Sequence, residues 1–169
     1  MTTNFEVTDL LSPDEVVTDV RVADKNSLLG ELSRRASIKL GLDEHVVFDA
    51  LTNREKLGST GVGQGLALPH ARIKEIARMH GVFYKLVKPI QFGAIDDEPV
   101  DLFFALLVPA SQDREGIRAL SCIARQLRGQ DILNSIRHAT TPEAIFELLT
   151  ASLPNDLTKT ASPERRLPG

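Results

Sequence analysis

Apolar residues recur in steps of three and four along several stretches of the chain, the pattern of helices with one buried face. Leu28, Leu32, Ala36 and Leu40, with Leu29 beside them, follow Asp24 and stop at Gly41. Asp24 can accept hydrogen bonds from the first free amides of that helix. Asp43 opens a second helix through Val46, Val47, Ala50 and Leu51, closing near Lys56 or Gly58. Ile117, Leu120, Ile123, Ala124 and Leu127 trace a third stripe, and a short helix follows over Asp131 to Ala139. Thr141-Pro142 is a cap followed by proline at the first helical position, and it starts a last helix with Ala144, Ile145, Leu148 and Leu149 facing inward. Val16 to Val20, Val82 to Val87 and Asp101 to Val108 read as strands, the first after a capping-box pattern at Ser12-Pro13-Asp14-Glu15. Leu102 to Val108 is apolar at every position, so it belongs in a sheet covered on both sides. Strands interleaved with helices predict one layered α/β domain with helices on both sheet faces. The domain is expected over residues 1–153. Residues 154–169, polar and carrying Pro154, Pro163 and Pro168, are expected to form a disordered C-terminal tail.

One segment breaks the periodicity. Gly58-Ser59-Thr60-Gly61-Val62-Gly63-Gln64-Gly65 has four glycines in eight residues. Such a run is expected to be a loop, because each glycine costs backbone entropy and supplies nothing to pack. It is not a P-loop: Gly58 and Gly63 have the spacing, but Gln64 and Gly65 stand where lysine and serine or threonine are needed. It is not a dinucleotide fingerprint either, since Leu66 replaces the third glycine and the run precedes an apolar segment rather than following a strand. What remains is a loop whose backbone N–H groups could form an anion nest. It leads through Leu66-Ala67-Leu68 to Pro69-His70. His70 is expected at a strand's end, neutral and nucleophilic near pH 7. Arg54, at the end of the second helix, offers a planar fork suited to phosphate oxygens. Imidazole, anion loop and guanidinium are the parts needed to accept a phosphoryl group on nitrogen. By spacing alone, an exposed loop histidine fits these residues equally well.

Composition narrows the setting. Hydrophobic residues at 42% and charged ones at 25% exclude wholesale disorder. A net charge of -3 gives no overall basic footprint for nucleic acid. The apolar stretches, such as Leu102 to Ala110, fall far short of the ~20 residues a membrane span needs. The N-terminus carries Glu6 and Asp9 and has no signal-peptide pattern, so a cytoplasmic protein is expected. The single cysteine, Cys122, excludes an internal disulfide and is expected to be a buried structural thiol. His45, His80 and His138 show no ligand spacing, so no metal and no cofactor is expected. The acidic residues Asp96, Asp97, Glu98 and Asp101 form a solvated turn that could steer a basic partner.

The stretch Arg54 to Ala71 resembles the phosphorylation-site signature of the type 2 enzyme IIA domains of the phosphoenolpyruvate-dependent phosphotransferase system. A polar residue at Glu55, the pair Val62-Gly63, and Leu66-Ala67-Leu68-Pro69-His70-Ala71 all agree with that signature. The stretch Phe92 to Ala110 resembles the nitrogen-regulatory branch of the family. The resemblance spans residues from about 8 to 152. It implies a mixed sheet flanked by helices, phosphorylation of His70 by a small HPr-like phosphocarrier, and stabilisation of the phosphoryl group by Arg54. It also implies a site shaped by the loop residues Ser59, Thr60, Gly61, Gly63 and Gly65. Many members carry a second histidine on the helix after the central strand. Aligned through Leu120 and Ser121, that position here is Arg118, which is expected to stand as a fixed cation beside the site. The function implied is a phosphohistidine carrier that signals to regulatory target proteins by its phosphorylation state. Two alternatives stay open: a sugar-specific IIA passing phosphate to a separately encoded IIB, and a regulatory binding module in which His70 is silent.

Overall fold

The computed structural model describes residues 4–153, so the expectation of a disordered tail at 154–169 lies outside the described residues. After two short 3-10 turns, Val7–Asp9 and Pro13–Glu15, the chain forms β1 (Val16–Val20), α1 (Lys25–Leu40) and α2 (Glu44–Lys56). It continues through β2 (Gly61–Gly63), β3 (Leu66–Ala67), β4 (His70–Ile73), β5 (His80–Ile90) and β6 (Val100–Pro109). The last elements are α3 (Asp113–Gln126), α4 (Gln130–His138) and α5 (Pro142–Thr150). The first two helices start where the side chains predict, with the Asp24 carboxylate accepting from the Ser27 amide and Asp43 from that of His45. Thr141 caps α5 in the same way, through the amide of Ala144.

The six strands form one mixed sheet in the order β1-β5-β6-β3-β2, with β4 also on β6. β1 runs parallel to β5, β5 antiparallel to β6, and β3 and β4 both parallel to β6. Strand β6 is buried on both faces, as its composition requires. Phe103, Ala105 and Leu107 join the layer under α1 and α2, while Leu102, Phe104, Leu106 and Val108 join the layer with α3, α4 and α5.

Three local expectations are corrected. Ser12 makes no capping bond to the turn after it, and Glu15 is buried against Arg35 and His80 instead. In α3 the buried face is Gly116, Ala119, Ile123 and Leu127, not the stripe through Ile117 and Ala124, and Ile117 is 66% exposed. The helix lies so close to β6 that a Cβ on Gly116 would sit 2.9 Å from Val108, so the smallest residue takes the core position and the larger one turns outward. Finally, the glycine run is not a plain loop. Gly61–Gly63 pairs antiparallel with Leu66–Ala67, and Gln64 and Gly65 both have positive φ, at 58° and 77°. That is the two-residue turn that suits the twist of a hairpin.

Candidate functional site

Arg54 and His70 are sixteen residues apart and meet side chain to side chain. The last turn of α2 carries Arg54, and His70 is the first residue of β4, registered opposite Leu106. The Arg54 Nε–H donates to His70 Nε2 over 3.2 Å, and Arg54 Nη1 donates to the Gly58 carbonyl at 2.9 Å. On the other side of the ring, Nδ1 lies 2.9 Å from the Leu68 carbonyl, which can only accept. The proton is therefore on Nδ1, and Nε2 presents its lone pair. Half-burial of the ring pushes its pKa below the usual value. The Leu68 carbonyl and Glu55 oppose that shift, and the Arg54 charge adds to it. The ring is neutral at pH 7, with a nucleophilic nitrogen next to a guanidinium. That arrangement can accept an electrophilic, oxygen-rich group such as phosphoryl.

A buried carboxylate holds the approach to this pair. Glu55, 8% exposed, accepts from both the amide and the hydroxyl of Thr60. Lys25 closes on it at 2.7 Å, donates to the Phe92 carbonyl, and lies 4.4 Å from the centre of the Phe92 ring. Ser59 Oγ donates to the same Phe92 carbonyl and accepts from the Gly61 amide. Gly61 is packed so tightly that a Cβ there would lie 2.7 Å from that of Ala94. Gly63 lies in β2 against Asp96, and Gly65 turns the hairpin under Arg137. Arg137 makes bonds of 2.8 to 3.2 Å to the Asp101 carboxylate and donates to the Gln64 carbonyl at 2.7 Å.

These bonds correct the anion-nest expectation. The amides of Gly58, Thr60, Gly61 and Gln64 already donate to the Glu55 carbonyl, the Glu55 carboxylate, Ser59 Oγ and Asp96. The segment serves as a braced wall, and the cation available at Nε2 is Arg54. Asp96 is also more than a solvated residue of a turn: it accepts the Gln64 and Glu98 amides, which lower its pKa. Arg118 is not where the alignment placed it. The charges acting on the imidazole are Arg54 and Glu55, whereas Arg118 is exposed on α3 and lines a cleft with the two ends of the described chain. Cys122 is half-buried rather than fully so, with Sγ 3.0 Å from the Phe5 carbonyl. His45 is exposed, and His138 closes α4 with Nδ1 at the Asn134 carbonyl. Among the described residues no group of three or more metal-ligating side chains converges, and no helix is long and apolar enough to cross a membrane. Sequence reasoning missed the parts played by Lys25, Phe92 and Arg137. Lys25 reaches Phe92 across 67 positions, and no local pattern announces such a contact.

Residues 9–152 match the family described as "Phosphoenolpyruvate-dependent sugar phosphotransferase system, EIIA 2". A nitrogen regulatory protein of Bradyrhizobium diazoefficiens is 39% identical over 143 residues, covering 85% of this chain and 94% of the relative. One from Escherichia coli K12 is 39% identical over 149 residues, covering 88% and 91%. The crystal structure of nitrogen regulatory protein IIA-Ntr from Neisseria meningitidis superposes with a TM-score of 0.81 at 34% identity, covering 85% of this chain and 99% of that one. With the fold and the Arg54–His70 pair, these likenesses place the chain in the type 2 enzyme IIA family of the phosphotransferase system, on its nitrogen-regulatory branch.

Proposed function

We propose that this protein is a phosphohistidine carrier and regulator of the nitrogen-type phosphotransferase system. It accepts a phosphoryl group on His70 from an HPr-like phosphocarrier in the cytoplasm and signals to regulatory proteins by its phosphorylation state. The observation that carries this is the Nε2 lone pair, fixed by the Leu68 carbonyl behind it and faced by Arg54 at 3.2 Å. In the transfer, the bond from phosphorus to the carrier's nitrogen breaks as a bond from phosphorus to His70 Nε2 forms. The electron pair leaves with the carrier, and Nδ1 keeps its proton. The Arg54 Nε–H passes from the ring nitrogen to the phosphoryl oxygens, while Nη1 stays on the Gly58 carbonyl. Ser59, Thr60, Gly61, Gly63 and Gly65 shape the wall beside it. A docking rim is at hand: Leu57, Val62 and Ile95 are 83%, 52% and 84% exposed, and Asp96, Asp97 and Glu98 stand next to Ile95. An apolar patch with an acidic margin suits a carrier that presents apolar and basic residues.

The test is to incubate the protein with phosphoenolpyruvate, enzyme I and an HPr-like carrier and to map the label. Acid-labile phosphate on His70 is expected, with none on His70→Ala; equal labelling of His70→Ala sinks the proposal. Adding a purified sugar-type IIB should leave the label in place. Rapid loss of label to IIB would replace the regulatory reading with a sugar-specific one.

A further inference from the structure

Four arginines occupy one line on α3 and its end: Arg114, Arg118, Arg125 and Arg128, all exposed. Steps of four, seven and three put them on the same side of the helix, with Ser121 between them. That side is opposite Gly116, Ala119, Ile123 and Leu127, which face the sheet. The row is about 21 Å long at the rise of an α-helix. None of the four makes an ion pair or a side-chain hydrogen bond among the described residues. Of the other described arginines, five are engaged: Arg34 with Glu31, Arg35 with Glu15, Arg54 with His70, Arg72 with Asp113 and Arg137 with Asp101, whereas Arg21 and Arg78 stand singly elsewhere in the chain.

Arg125, in the last turn, suits the helix dipole, but the rest of the arrangement works against the helix that carries it. Arg114 is its second residue, where the dipole disfavours a cation. Arg114 with Arg118 and Arg125 with Arg128 are like charges at repelling spacings. The acids of α3, Asp113 and Glu115, are confined to its first turn, and from Gly116 to Arg128 the sequence has none to intersperse with the arginines. Beside the row, an open cleft of about 620 Å³ lies between α3, the Phe5–Val7 segment and the end of α5. It is lined by Arg118 and Arg125 together with Phe5, Ile117 and Leu153. Ile117 and Leu153 are 66% and 45% exposed, so among the described residues the cationic row is flanked by exposed apolar surface.

We infer that this face of α3 is a docking surface for an acidic amphipathic segment of a partner protein, its carboxylates on the arginine row and its apolar side in the adjoining cleft. A net charge of -3 opposes long polyanions at a distance, whereas a short acidic segment meets only the local cations. The surface lies on the sheet face opposite α2, which carries Arg54, so the inference stands independently of phosphorylation at His70.

The probe is a synthetic acidic helical peptide with glutamates at alternating steps of four and three and leucines along one flank, titrated into the full chain and followed by amide NMR. Shifts confined to α3 and the cleft are expected, and Arg125→Glu with Arg128→Glu should weaken binding about tenfold or more, as should raising salt from about 50 to about 300 mM. A peptide of the same composition in scrambled order should bind several-fold more weakly. Equal binding of the scrambled peptide, an unchanged affinity in the charge-reversed protein, or tighter binding of a single-stranded oligonucleotide or of phosphatidylglycerol vesicles would each overturn the inference.

Discussion

At His70 the Leu68 carbonyl decides the tautomer, while burial, with the Arg54 guanidinium adding to it, keeps the ring neutral near pH 7. Because burial and the Arg54 cation lower its pKa, acceptance by Nε2 should be independent of pH at and above the ordinary imidazole value of about 6.5 and should fall only below it. In Arg54→Ala the cation is gone, so the His70 pKa should rise and the acid limb move to higher pH, measurable by NMR titration and by transfer rate. Arg54→Lys keeps the charge but loses the fork. Transfer should slow about tenfold to a hundredfold, since a charge-assisted bond contributes ~1.5–3 kcal/mol. Unchanged transfer and an unchanged His70 titration in a folded Arg54→Ala protein would remove Arg54 from the site. The two side chains that meet here were legible in the sequence, because Pro69-His70 and Arg54 stand out by residue type and position. Glu55 was readable only as a polar position; its role depends on Lys25 and Thr60 arriving from other elements.

At the scale of elements, strand β6 and the helices announce themselves by period, while the hairpin β2–β3 does not. Glycine's entropy cost argues against a strand, and the cost is met here by a turn that needs positive φ and by close contact with Ala94. The hairpin depends on α4 as well. Arg137 bridges Asp101 and the Gln64 carbonyl, and Lys85 donates to the Arg137 and Ala139 carbonyls at the end of that helix. Arg137→Ala leaves a partly buried carboxylate and a carbonyl without their donor. It should cost about 1–3 kcal/mol and lower Tm by several degrees, with faster amide exchange at Gly63 to Leu66. An unchanged Tm would class the contact with ion pairs that contribute little. The misread stripe on α3 has a similar origin: period locates a helix, but closeness to the sheet chooses which face goes in, and Gly116 offers no hydrophobic signal.

Over the whole molecule, charge is segregated in a way that its sum conceals. The acidic turn lies beside the hairpin, the arginine row on the far layer, and the total of -3 reports neither. The layering itself was legible, because a strand apolar at every position demands cover on two sides. The order of strands was not, since short segments such as β3 and β4 carry too few residues to declare a partner. Those two fragments share β6 end to end, with Leu68-Pro69 as the gap between them, and β4 pairs with β6 alone. His70 thus begins a border strand rather than one in the interior. A group added there changes the outline and takes the net charge from -3 to about -5 without entering the core. The modification would then act as a flag and not a lever: amide exchange in β5 and β6 should be the same in both forms, with differences confined to the rim around His70. A listener would have to touch that rim to know which form it has met.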